Sequence, residues 1–270
     1  MMSLQKLRGH LFPKYVVILV ILVSGALLTS GLVESYFSYQ ENQVTLARIQ
    51  REKAANAASQ IGQFIKDVER QMGWTLKPPW AHSLPLDRRI IDYYTFLRQV
   101  PAVTEVSYLD PSGREQLRFS RLSVDVVGSG VDSSGEEKFL HAKSGKTYFS
   151  PVYFRSEHEP VMTIAVAESG PDGGVTVGEV DLRFIWEVVS RIKIGKAGFA
   201  YVVDARGHLI GYPDMSLVLQ KTDLSSLAQV QAALASTPIP GEEGEKPTIA
   251  RDLQGRQVLT AYQVIDPPGW

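Results

Sequence analysis

Tyr148, Tyr153 and Arg155 lie in one stretch, Thr147 to Arg155, with the composition of a strand. Side chains alternate along a strand, so Tyr153 and Arg155 share one face and Tyr148 falls on the other. Aromatic walls with a few charges are what small-molecule pockets use, which makes these residues a candidate binding site. Asp181, closing the strand-like run Val175 to Asp181, is a further candidate. A plainer reading stands beside this one. The tyrosines would serve packing, and Asp181 would cap the helix that follows, whose dipole favours an acid there.

Other chemistries find less support. The five histidines, His10, His82, His141, His158 and His208, are scattered, and the chain has no cysteine. No His-Glu-x-x-His occurs, so neither a metal nor another cofactor is expected. There is no Gly-x-Ser-x-Gly elbow and no phosphate loop ending in Gly-Lys-Ser/Thr. Gly128-Ser129-Gly130 lacks the third glycine and the strand-to-helix setting of a dinucleotide loop, and reads as a turn. Carboxylates are plentiful enough for a glycosidase-like pair, but their separation is not written in a sequence. No catalysis is expected of this chain. A formal net charge of −1 without long Lys/Arg blocks excludes the electrostatic footprint of a nucleic-acid binder.

The elements that must position the candidate residues begin with an apolar run, Val16 to Val33, free of charge and long enough to span a bilayer as a helix. Its Val, Ile and Leu residues each favour insertion by roughly 0.3–0.6 kcal/mol. Lys6, Arg8 and Lys14 precede it, whereas Glu34 and Glu41 follow it before any basic residue. That bias places the amino terminus in the cytoplasm and exports the rest. A cleaved signal peptide has a similar start, but its core is shorter and ends at an Ala-x-Ala-like site. An uncleaved anchor in contact with membrane lipid is therefore expected.

From Ser35 to Trp74 there is no proline, and Leu46, Ile49, Ala57, Ile61, Ile65, Val68 and Met72 recur at helical spacing. This stripe fits either core packing or the seam of a homodimer. Lys77-Pro78-Pro79-Trp80 ends that helix. A second helix, capped by Asp87 and running to Gln99, would bury Ile90, Tyr94 and Leu97. The period then changes. Val106 to Leu109, a turn at Asp110-Pro111-Ser112-Gly113, and Leu117 with Phe119 read as a hairpin, followed by a surface loop from Gly128 to Glu137. Strands are expected at Thr147 to Arg155, Val161 to Ala167 and Val175 to Asp181, then a helix from Leu182 to Ile192 ending near Gly195.

Ala200 to Gly207 repeats the layout of Val106 to Gly113, a strand followed by Asp-x-x-Gly. In such a turn Asp bonds back to the backbone and Gly takes positive φ. Two copies point to two similar domains. The second unit continues with Pro213-Asp214, a helix from Leu224 to Leu234, a Gly/Glu/Pro-rich loop from Pro238 to Pro247, strands Thr248 to Asp252 and Gln257 to Val264, and the closing Pro267-Pro268-Gly269-Trp270.

These pieces resemble the double Cache extracytoplasmic sensor, two PAS-like domains on a long helix rising from a membrane span. The resemblance rests on the anchor and long helix, Val103 to Gly113, the Tyr148 to Tyr153 strand, Gly178-Glu179-Val180-Asp181-Leu182, and Gly198 to Asp214 with its Tyr-Val-Val-Asp strand and Pro-Asp close. It implies an α+β fold. The divisions would be a cytoplasmic terminus 1–14, a transmembrane helix 15–34, a long extracytoplasmic helix 35–76, a membrane-distal Cache domain 77–195 and a membrane-proximal one 196–270 that lacks its last strand. It also implies sensing of a small molecule outside the membrane, for a histidine kinase, nucleotide cyclase or chemoreceptor output lying beyond this chain.

In amino-acid-binding relatives, the resemblance implies, the distal pocket uses an Arg two positions before a Trp, a Tyr on a strand and an Asp ending the last strand. Tyr153 and Asp181 match the last two, while Phe139 stands at the Trp position and Glu137 at the Arg position. An acid there would repel the carboxylate that the Arg clamps. The expected ligand is therefore an amine or another small molecule without a carboxylate, held by Phe139, Tyr148, Tyr153, Arg155 and Asp181. A second sheet ending at Trp270 would leave an unpaired edge, and the membrane-proximal half is expected to gain stability if the chain extends further.

Overall fold

The structure is a computed structural model and describes residues 11–75, 86–156, 159–168, 173–195, 197–235 and 248–270. The expected break at Lys77 to Trp80 and the loop from Pro238 to Pro247 lie outside the described residues. Helix α1, Leu11–Thr75, runs unbroken for 65 residues. Its only proline, Pro13, falls in the first turn, where a missing N–H is tolerated. Among the described residues α1 is the one helix long and apolar enough to cross a membrane, and its residues from Val16 to Val33 touch no other part of the fold.

Further along, α1 changes role. Ala58, Ile61, Ile65, Val68 and Met72 are buried in the main core, together with Tyr93, Phe96 and Leu97 of α2, Leu86–Gln99. Leu46 and Ile49, expected on the same stripe, are exposed, 45% and 39% respectively, so the stripe is core packing only in its later half. The face of α2 also differs from expectation. Tyr93 is buried and Tyr94 is 47% exposed, because α2 turns Arg89, Tyr93, Phe96 and Leu97 inward and leaves Ile90 half-buried. Asp87 sits inside the first turn of α2 rather than capping it.

Both helices cover one face of an antiparallel seven-stranded sheet. Its strands are β1 Val103–Leu109, β2 Glu115–Ser120, β3 Val126–Val127, β4 Tyr148–Phe149, β5 Tyr153–Arg155, β6 Glu159–Ala167 and β7 Val175–Asp181. Their order is β3-β2-β1-β7-β6-β4, with β5 also on β6. Val103, Val106, Leu117, Phe119, Met162, Ile164 and Val180 point into the helix side. Gly178 lets Met72 close down on the sheet centre, since a Cβ there would lie 2.9 Å from the Met72 Cε. Helix α3, Glu137–Lys143, covers one end of the opposite face, packing Phe139 and Ala142 on Leu109, Ala165, Val175 and Val177.

The remaining elements are α4 Arg183–Arg191, β8 Val202–Val203, β9 Leu209–Gly211, α5 Met215–Leu219, α6 Ala228–Ala235, β10 Thr248–Arg251 and β11 Gln257–Thr260. Helix α6 starts later than Leu224, after a turn held by Leu227 N–H on the Leu224 carbonyl. Phe184 of α4 stacks on Phe64 of α1, centroids 4.6 Å apart. Gly211 meets the other side of α4, where a Cβ would lie 2.7 Å from Ile185.

Among the described residues, an Asp-x-x-Gly turn held by two backbone N–H groups on the Asp occurs three times, not twice. The Oδ1 atoms of Asp110, Asp204 and Asp252 each accept two backbone N–H groups, from residues two and four positions on, at 2.9–3.0 Å. Gly113, Gly207 and Gly255 take φ of +86°, +90° and +77°. The first two turns share a longer pattern. Ser133 N–H donates to the Gly113 carbonyl and Leu224 N–H to the Gly207 carbonyl, and an Asp-to-Ser turn follows at Asp132 and at Asp223.

The later half of α1 is thus a core element. Ile65→Ala should destabilise the protein by about 2–5 kcal/mol, the range for emptying a fully buried Ile, whereas Lys66→Ala on the exposed face should change stability by less than about 0.5 kcal/mol. Denaturant unfolding of the pair in detergent checks this.

Candidate functional site

The sheet face turned away from α1 and α2 carries the candidate residues. The stretch Thr147 to Arg155 is two strands rather than one, because Ser150-Pro151 bulges out between β4 and β5. Tyr148 pairs with Ala165 and Tyr153 with Val161, so five steps on one strand match four on β6. An extra residue of this kind restores the phase of a pleat. Tyr148 therefore shares the face of Tyr153 and Arg155, contrary to the simple alternation. Ser150 fixes the bulge, with its hydroxyl accepting the Thr163 N–H at 2.8 Å and its own N–H donating to the Thr163 carbonyl at 2.9 Å.

Tyr153 and Arg155 converge on Glu179. The Tyr153 hydroxyl donates to Glu179 Oε2 at 2.7 Å and lies 3.1 Å from the Thr163 hydroxyl. Arg155 Nη1 pairs with Glu179 Oε1 and contacts Thr104 Oγ1 at 3.0 Å, while Nη2 pairs with Glu159 at 2.7 Å. Thr104 also donates to Glu179 Oε1 at 3.0 Å. Burial, reinforced by Glu179, pushes the Tyr153 hydroxyl well above the usual phenol range. Burial disfavours the Arg155 charge, but Glu159 and Glu179 more than offset this and hold it more firmly protonated.

Glu105 on β1 is the cross-strand partner of Glu179. Burial first, then the neighbouring Glu179 charge, raise the Glu105 carboxyl above the usual range, with Arg118 and Ser120 opposing. Arg118 is itself bound to Glu115, at 2.8 Å for the closest pair. Tyr148 donates to Glu137 Oε2 at 3.2 Å and tilts against His141 of α3, while Phe139 is buried beneath. Asp181 follows the plainer reading. Its Oδ1 accepts the Arg183 N–H at 2.9 Å and its Oδ2 holds Arg183 Nε at 2.6 Å, which fixes the entry into α4.

Tyr153, Arg155 and, through α3, Tyr148 and Phe139 thus line one face, and Asp181 stands on the same face with its carboxylate engaged by Arg183 at the start of α4. Glu179, Glu105, Thr104 and Thr163 were not picked out from the sequence. A signal was present, since Glu179 interrupts an otherwise apolar strand two positions before Asp181 and so shares its face. Among the described residues no group of three metal-ligating side chains forms.

Comparison with known proteins gives this arrangement a context. The family model described as the Cache domain matches residues 29–270. The chain belongs to the Cache domain family. Solved structures of similar fold include the extracellular domain of the candidate histidine kinase mmHK1S-Z2, at 14% identity and a TM-score of 0.66 over 83% of this chain and 94% of that one. The ligand-binding domain of Mlp24, solved with asparagine, shows 13% identity and a TM-score of 0.56 over 86% of this chain and 92% of that one. That of the Pseudomonas aeruginosa PAO1 amino-acid chemoreceptor PctC, in complex with GABA, shows 17% identity and a TM-score of 0.51 over 73% and 84%. No curated protein sequence matches the chain.

Within this Cache fold the raised Glu105 carboxyl has a definite sign. An acid with a folded value above its unfolded one costs nothing below the unfolded value, costs progressively more as pH rises between the two, and costs a constant amount above both. Glu105→Gln should therefore leave the melting temperature unchanged at pH 3.5 and raise it at pH 8, read from parallel thermal melts. A gap that is constant with pH would contradict the assignment.

Proposed function

We propose that this Cache chain is the extracytoplasmic input region of a membrane-bound receptor and binds a small cationic ligand, an amine, on the sheet face that α3 covers. The observation that carries the ligand class is the charge on that face. Among the described residues, four carboxylates, Glu105, Glu115, Glu159 and Glu179, share two guanidinium groups, Arg118 and Arg155. A bound ammonium would relieve that excess, and Tyr148 and Tyr153 supply aromatic faces for cation–π contact. Glu137, at the position where amino-acid-binding relatives carry Arg, argues in the same direction. The chain itself supplies input, and the output would be a separate kinase, cyclase or chemoreceptor module.

In this reading α1 spans the membrane once from 15 to 34, with the amino terminus in the cytoplasm beside Lys6, Arg8 and Lys14. The fold beyond it comprises a membrane-distal domain, 77–195, and a membrane-proximal one, 196–270, the second supported by the repeated turns and by α6 following its turn as α3 does. Leu46 and Ile49, exposed on one side of α1 just outside the span, would form the contact between two copies.

Thermal melts of the full chain in lipid nanodiscs, screened against amines, amino acids and organic acids, test the ligand. An amine at a hundred times its dissociation constant should stabilise the protein by about 2.7 kcal/mol. Glu179→Gln should weaken that binding by about 10- to 100-fold, the worth of a charged hydrogen bond. The proposal fails if no compound stabilises, or if carboxylic acids do and amines do not. The dimer contact is tested separately. The chain has no cysteine of its own, so Leu46→Cys should form a disulfide-linked dimer in oxidised membranes and Arg48→Cys far less. Equal yields at both positions would remove the seam.

A further inference from the structure

The part of the fold built on β8, β9 and α6 repeats the ligand face with different chemistry. Counted from the Asp of each turn, Tyr201 occupies the place of Ser107, and Tyr212 that of Arg118. Counted from the second turn, Val230 of α6 occupies the place of Phe139 of α3. Val230 is buried against this face as Phe139 is against the other, in a cluster with Tyr201, Val203 and Tyr212. The corresponding surface is therefore aromatic at the two places where the first carries a serine and an arginine. Phe199 extends it, edge-on to Tyr212 with centroids 5.1 Å apart and tilted to Tyr201 at 6.5 Å.

One polar group on this surface has no partner. Gln229 is 7% exposed, and its carboxamide reaches the Tyr201 hydroxyl and donates from Nε2 to the Arg251 carbonyl at 3.0 Å. Its Oε1 is buried and accepts nothing. A buried acceptor left unmet costs free energy that a docked donor would recover. The nearby charges are already paired. Asp252 holds two backbone N–H groups and Arg256 Nε, at 2.8 Å, and the Lys221 ammonium lies over the Phe154 ring at 5.6 Å. Among the described residues, none of these charges is left for a ligand.

We infer that the aromatic face of β8 and β9, closed by Gln229, is a second small-molecule site, taking an uncharged aromatic compound that offers one N–H or O–H donor. The ring stacks among Phe199, Tyr201 and Tyr212, each of which keeps part of its surface open to solvent. The donor meets Gln229 Oε1. This site is independent of the amine site and uses none of its residues.

Indole and 1-methylindole are the probes, since they share the ring and differ in the donor. Titration into the full chain in nanodiscs, with empty nanodiscs subtracted, should show indole binding at least about fivefold more tightly than 1-methylindole, the worth of one hydrogen bond. Gln229→Leu, which also gives up the bonds to Tyr201 and to the Arg251 carbonyl and so lowers the melting temperature, should abolish that preference, and Tyr201→Phe should retain it. Glu179→Gln, which disables the amine site, should leave indole binding unchanged. No indole binding up to millimolar concentration, equal affinity for both probes in the unaltered chain, or a preference that survives Gln229→Leu would each overturn the inference. The comparison of the two probes on the unaltered chain decides the matter even if a variant fails to fold.

Discussion

The packing of the α1 stripe Ile61, Ile65, Val68 and Met72 on the sheet is the contact on which the rest of the structure depends. Met72 closes that stripe over Gly178, where a Cβ would press on its thioether tip. Seated there, α1 removes one face of the sheet from water and joins it rigidly to the membrane span, because no break interrupts the helix from Leu11 to Thr75. A sheet has two faces, so a ligand held by this sheet would stand on the other one. Glu105, Thr163, Glu179, Tyr148 and Tyr153 stand there because their neighbours in sequence are taken up by the core.

This places the proposed ligand face and the helix contact on consecutive residues. Gly178 touches Met72 while Glu179, the next residue of β7, holds Tyr153 and Arg155 on the opposite side. Two positions further, Asp181 pins Arg183 and the first turn of α4, which stacks Phe184 on α1 and seats Ile185 on Gly211. In the proposed site, a ligand that draws Glu179 away from Arg155 therefore acts on a strand bound in its middle to α1 and at its end to α4. Its influence on α1 is limited to the difference in affinity for the two positions of that strand. Tight packing around Gly178 makes such positions discrete rather than continuous.

Much of the scaffold was legible because it follows from periodicity and turn chemistry. The hairpin at Asp110, the strand Val175–Asp181 and the helix after it appear at or within a residue of where alternation and glycine placed them. The errors have local causes. Tyr94 was read as buried because Ile90, Tyr94 and Leu97 fit a helical stripe, but Arg89 is drawn inward by Glu168 and by the Tyr108 ring 3.9 Å away, which turns Tyr93 to the core instead. A buried ion pair of this kind is invisible to hydropathy. Simple alternation puts Tyr148 on the wrong face because a one-residue bulge reverses every later side chain, and Ser150 fixes that bulge with its hydroxyl as well as its backbone N–H. Helix α3 and the third Asp-x-x-Gly turn were not read at all, the one being short and polar and the other lying in a run of ordinary residues.

The aspartates of the turns and the glutamates of the sheet face show why the site was harder to read than the scaffold. Burial works against the charge of Asp110 and of Asp252, yet the hydrogen bonds each accepts outweigh it and hold the carboxyl below its usual range. Such a group stabilises the fold above its unfolded value and loses that contribution as pH falls through the folded one. Glu105 runs the other way, since its partners do not offset burial beside Glu179. The turn carboxylates are explained by folding alone, and a local motif reveals them. Glu105 opposes folding at neutral pH, and nothing within its own strand accounts for it. Burial first and then the Glu179 charge across the sheet do, and neither can be read from the strand alone.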